Sequence, residues 1–162
     1  MDMTTATPPA PHHSVHAGTS LNRTAFSATV HCLTGCAIGE ILGMVLSTWW
    51  GWSNTGNVVL SISLAFAFGY SLTMLPLLRA GLTLRRSLPL AFASDTLSIG
   101  TMELFDTVII LIVPGAIDAD LGEPLFWGSL AAALLVAFWA AFPVNRALIA
   151  RGKGHAVIHA YH

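Results

Sequence analysis

Four stretches of mostly apolar residues, at about 26–50, 58–78, 88–113 and 125–145, dominate the 162-residue chain. Each matches the roughly 20 residues that an α-helix needs to cross the hydrocarbon core of a bilayer. In lipid the backbone polar groups must be satisfied internally, which leaves helices as the natural state of such segments. The expected fold is therefore all-α, a four-transmembrane-helix bundle occupying residues 26–146. Composition agrees, with 54% hydrophobic and only 9% charged residues against roughly a quarter charged in a soluble domain. Residues 1–25, rich in Thr, Pro and His, read as a disordered tail, and 147–162 as a short histidine-containing tail. No basic n-region precedes an apolar core near Met1, so no cleaved signal peptide is expected.

The connections carry their own punctuation. Trp49, Trp50 and Trp52 resemble an interfacial aromatic belt at the end of the first span, and Ser53 to Asn57 turns the chain. Pro76 lies near the end of the second span. Ser87 is the expected N-cap of the third, with Pro89 in its first turn, and Pro114-Gly115 stops it. Pro124 suits the first turn of the fourth. With these limits every Lys and Arg falls on one side: Arg23, then Arg79, Arg85 and Arg86, then Arg146, Arg151 and Lys153. The positive-inside rule makes that side cytoplasmic, N-in and C-in. A net charge of −1 argues against a nucleic-acid partner; the lipid bilayer is the expected surrounding.

Two spans contain groups that lipid tolerates poorly. In the run HCLTGCAIGE, Cys32, Cys36 and Glu40 recur every four residues on one helix face, with His31 beside them. Gly35, Gly39 and Gly43 are read as sharing that face, a small-residue stripe suited to close helix packing and to a homo-oligomer or a larger membrane partner. In the third span Asp95, Met102, Glu103 and Asp106 fall on one face, near Ala91 and Ser98. An ionised acid at the bilayer centre costs about 2.5–3.5 kcal/mol on insertion scales, so acids there face the bundle interior and mark ion or proton paths. Counted along both helices, Cys32 and Asp95 lie at similar depth, as do Glu40 and the Met102–Glu103 pair.

The donor set is mixed. Thiolate and thioether select soft ions such as Cu(I), imidazole suits copper, zinc or iron, and carboxylates suit harder ions. His155, His159 and His162 would share one face of a helix at the cytoplasmic end, and His12, His13 and His16 repeat the residue type near the other terminus. Asp118, Asp120 and Glu123 form an acidic loop on the far side. Haem fits poorly, because His31 is the only histidine inside a predicted span and bis-histidine ligation needs two. No nucleophile–base pair suggests an enzyme.

The runs HCxxGCxxGE at His31 to Glu40, SxxxMExxD at Ser98 to Asp106, PGA at Pro114 and GKGHAxxHxYH at Gly152 to His162 resemble a bacterial membrane family known as domain of unknown function 4396. The resemblance covers about Val30 to His162 and implies a multi-pass protein of the bacterial inner (plasma) membrane, without assigning an activity. More loosely, the first run and the histidine tail resemble the Cys, Met and His usage of small copper-transport proteins, although the Met-rich outer segment of trimeric copper importers is missing. The expected function is binding and translocation or hand-over of a transition metal, copper ahead of zinc or iron, at a site between helices one and three. The expected ligands are His31, Cys32, Cys36, Glu40, Asp95, Met102, Glu103, Asp106, His155, His159 and His162. The alternatives are a proton- or cation-conducting accessory subunit and a membrane redox protein.

Overall fold

A computed structural model describes residues 14–79 and 81–151, residues 14–19 through their backbone alone. The chain forms α1 (Ser14–Trp50), α2 (Asn54–Arg79), α3 (Leu84–Ile112) and α4 (Pro124–Ala150), with a single 3-10 turn at Ala116–Asp118 between the last two. Among the described residues there is no strand. Ser20–Trp50 of α1, all of α2 and all of α4 are long and apolar enough to cross a membrane. At 29 residues α3 has the length, yet it carries Arg85, Arg86, Asp95, Glu103 and Asp106. Its acids are buried while Leu97, Leu104, Leu111 and Ile112 are exposed. That is the inverse of a helix packed in water.

The helix limits follow from local chemistry, with two corrections to the sequence reading. The segment expected to be a disordered tail is helical from Ser14 onward. No proline stands between Pro11 and Pro76 to stop it. Its continuation also docks on α4: Ala25 is fully buried, and Arg146 Nε donates to Asn22 Oδ1 at 2.8 Å. The start of α3 lies four residues before the position expected from Pro89. Thr83 is its N-cap, Ser87 instead donates back to the Thr83 carbonyl, and Pro89 falls in the second turn, where its missing N–H removes one helical bond. The fourth helix starts as expected, on Pro124 after Glu123 as N-cap. Both α1 and α2 end on a left-handed glycine: Gly51 N–H bonds Thr48 O and Trp52 N–H bonds Ser47 O, and Gly81 and Leu82 repeat the arrangement on Leu78 and Leu77. This closes carbonyls that would otherwise be orphaned.

Short connections fold the helices into an antiparallel bundle in which α1 neighbours α2 and α4, and α3 neighbours the same two. The α1 and α3 faces therefore meet across a diagonal, along the bundle axis. Every described arginine gathers at one end, here the basic end, and Asp118, Asp120 and Glu123 lie at the other. Small residues allow the close approach. A Cβ on Gly35 would lie 2.8 Å from Gly69 Cα, one on Gly39 would collide with Ala65, and one on Gly43 with Ser61. On α4, Ala133, Ala137 and Ala141 are fully buried at the same four-residue spacing.

The glycines thus serve a neighbour different from the one that the thiols meet. Their stripe is turned roughly 60° from the Cys32–Cys36–Glu40 stripe at 3.6 residues per turn, and α2 of the same chain fills it. Within the chain the glycine surface expected to serve an oligomer is taken up by α2. Gly39→Ala is expected to destabilise the protein by about 1–3 kcal/mol, the usual cost of overpacking, with the opposing Ala65 backbone unable to yield as a side chain would. Thermal unfolding of the detergent-solubilised protein measures this; an unchanged midpoint would contradict the α1–α2 register.

Candidate functional site

The diagonal seam between α1 and α3 holds a column of polar and sulfur groups inside an otherwise apolar bundle. At its basic end His31 Nε2 lies 3.1 Å from Thr73 Oγ1, and the Asp95 carboxyl faces the same hydroxyl. Ser94 Oγ donates to Asp95 Oδ1 at 2.8 Å. Thr73 comes from α2, so three helices meet at this point. Asp95 and Thr73 are buried.

One turn further in, Cys32 sits beside Ser98. Asn145 on α4 donates from Nδ2 to both Ser98 Oγ and Thr29 Oγ1, each at 2.9 Å, tying α1, α3 and α4 together at one level. Next comes Cys36, whose Sγ is 4.0 Å from Met102 Sδ. Cys32, Cys36 and Met102 share a tightly buried cluster with Ile99, Ala65, Ala137 and Ala141. Both cysteines are free. They occupy successive turns of one helix, a placement that directs two thiols poorly for a mutual disulfide.

Beyond the sulfur pair the column widens into a chamber of about 70 Å³ toward the acidic-loop end, lined by Glu40, Glu103 and Asp106 together with Asn57, Ser61 and Met44. A buried water needs only about 10–15 Å³, so there is room for several. The three carboxyl groups are within electrostatic reach of one another. Among the described residues no hydrogen-bond partner meets either oxygen of Glu40, Oε1 of Glu103 or Oδ1 of Asp106. Asn57 is held on the chamber wall, its Oδ1 accepting from Ser47 Oγ at 2.9 Å and its amide nitrogen facing Met44 Sδ at 3.5 Å. The 3-10 turn after α3 contributes Ala116 and Ile117 to the chamber lining.

The structure brings together, along one line, His31, Cys32, Cys36, Glu40, Asp95, Met102, Glu103 and Asp106. It does not gather them at one point: among the described residues no three His, Cys, Asp or Glu side chains converge as a preformed metal centre would. His155, His159 and His162 lie outside the described residues, as do His12 and His13; His16 is in the first turn of α1. Thr73, Asn145 and Asn57 were not marked by sequence reasoning. Thr73 and Asn145 lie in spans that read mainly as apolar scaffold, and Asn57 in the turn that leads into the second span. A polar amide or hydroxyl deep in such a span was the available signal, since buried polar groups are costly unless they bond something.

An all-helical membrane protein with an acid- and sulfur-bearing interior is the class these features define. The chain belongs to the family described as domain of unknown function (DUF4396), which matches residues 21–154. The match begins nearer the start of α1 than the resemblance at Val30 and ends before His155, His159 and His162. No curated protein and no solved structure matches the chain.

Proposed function

We propose that the chain binds a transition-metal ion and hands it across a bacterial inner membrane along the column between α1 and α3. The observation that carries this reading is the Cys36–Met102 sulfur pair at 4.0 Å, set between three buried carboxylates on one side and Cys32, Asp95 and His31 on the other. Donor softness changes along the line, from oxygen through sulfur to a mixed set with imidazole. Thiolate and thioether together favour copper over zinc or iron. The arginines at one end support a cytoplasmic basic face. The outward apolar and inward acidic sides of α3 support a fourth span. The histidine tail adds donors where the ion would be released or first held. A second copy or larger membrane partner docks on a surface other than the glycine stripe.

Elemental analysis of the purified protein by mass spectrometry tests the reading. Copper, zinc or iron near one atom per chain is expected, lost when Cys32 and Cys36 are both changed to Ala. No metal, or retention unchanged in the double variant, overturns it.

A proton-conducting subunit is the second reading. It is favoured by the spread of the donors along the column rather than at one point, and by the His31–Thr73–Asp95 chain of exchangeable groups. Proton flux in liposomes that vanishes with Glu103→Gln yet survives the cysteine changes would put this reading first.

A further inference from the structure

The chamber at the acidic-loop end differs in chemistry from the rest of the column. Three carboxyl groups, an amide and the hydroxyl residues Ser61, Thr107 and Ser129 face one space within an otherwise apolar wall, and among the described residues no Lys, Arg or His lines it. Glu40, Glu103 and Asp106 are only 8%, 5% and 4% exposed, and each points at least one unpartnered oxygen into the bundle. Carboxylates taken out of water need a counter-charge or hydrogen-bond donors. The Cys36 thiol faces Glu103 and Glu40 faces Asp106, yet among the described residues no lining side chain carries a positive charge. A cation supplies the charge, and its water shell supplies the donors.

We propose that this chamber is a binding station for a hydrated divalent cation, separate from the sulfur pair. The three carboxyl groups surround the space rather than converge on a single point, which suits an ion that keeps part of its hydration. Small hard dications behave in this way: they dehydrate reluctantly, bind through one or two carboxylates and retain several waters. Oxygen donors suit Mg²⁺ and Mn²⁺ and lack the sulfur that selects copper. About 70 Å³ accommodates an ion with several waters at about 10–15 Å³ each, and Glu40 and Asp106, from facing helices, are placed to replace one or two of them. The proposal rests on the column being a cation path only for where the ion goes afterwards. Its occupancy is read separately.

Manganese is the probe. The protein in lipid nanodiscs is titrated with Mn²⁺, and the free aqua ion is followed by its six-line electron paramagnetic resonance signal. About one tight Mn²⁺ per chain is expected. The combined Glu40→Gln, Glu103→Gln and Asp106→Asn variant should bind at least about 10-fold more weakly, the low end of what lost carboxylate partners cost a metal site. Glu40→Gln alone keeps side-chain shape and guards against a folding defect in the triple variant; it too should weaken binding. Changing Asp118, Asp120 and Glu123 to their amides should leave the tight site intact, as should Cys32→Ala with Cys36→Ala, even if that pair loses copper. Equal Mn²⁺ binding by the wild type and Glu40→Gln overturns the proposal. Loss of the tight site in the loop variant also overturns it, by moving the ion to the surface.

Discussion

Glu103→Leu is expected to abolish cation transfer and, at the same time, to stabilise the bundle. Glu103 is buried, with one carboxyl oxygen lacking a partner among the described residues, and a buried unsatisfied polar group costs about 1–3 kcal/mol. Leucine fills nearly the same volume with no such demand, so removing the carboxyl should recover stabilisation of that order. Asp106 also loses an acidic neighbour, while Cys36 loses a hydrogen-bonding partner, which offsets part of the gain. The two effects are read separately, as ion flux in liposomes and as the thermal midpoint in detergent. Opposite movement of the two would mark a group kept for function at the expense of stability, a common trade. A Leu variant that unfolds earlier would instead make Glu103 a structural hydrogen-bonding residue, and the column would lose its central acid.

The second large effect is expected at Asn145→Leu. Its amide nitrogen bridges Thr29 and Ser98, so the change removes two buried hydrogen bonds worth about 0.5–1.5 kcal/mol each and leaves the Ser98 hydroxyl short of a donor, which adds about 1–3 kcal/mol. The sum, about 2–6 kcal/mol, reaches from the upper part of the usual range for single substitutions to beyond it and should appear as a marked fall in thermal midpoint. Thr29→Val removes one of these bonds and should fall in between, and the double variant should be less destabilised than the sum of the two, because both changes break the same contact. Strict additivity would show that the bridge contributes nothing.

The sequence made the helical frame and its reactive stripes legible because both depend on short-range periodicity. Apolar length located the spans, and four-residue spacing put Cys32, Cys36 and Glu40 on one side of α1. Depth counting paired Glu40 with Met102 and Glu103 and Cys32 with Asp95, about one turn out of register: Met102 meets Cys36, Cys32 sits beside Ser98, and Glu40 faces Asp106. What stayed hidden depends on which helix lies beside which. Gly39 and Cys36 occupy nearby sectors of one helix, and spacing alone could not tell that α2 takes the first and α3 the second. Thr73 and Asn145 draw their importance from partners 42 to 116 residues away in sequence, and Asn57 from Ser47 and Met44 across the α1–α2 turn. The start of α3 differs for another reason: Pro89 predicts a helix beginning at Leu88, whereas helix propensity in Leu84, Arg85 and Arg86 extends it back to Thr83 as N-cap.

The glycine-lined contact between α1 and α2 also determines how such a molecule could move. Backbones in direct contact along Gly35, Gly39 and Gly43 leave no slack for sliding, so the first hairpin behaves as one rigid slat, and α3 with α4 forms a second. The column runs along the seam between the two slats. If the column passes an ion as proposed, opening it past Cys36 and Met102 would mean tilting one hairpin against the other, and the Asn145 bonds to Thr29 and Ser98 would have to yield at the basic end.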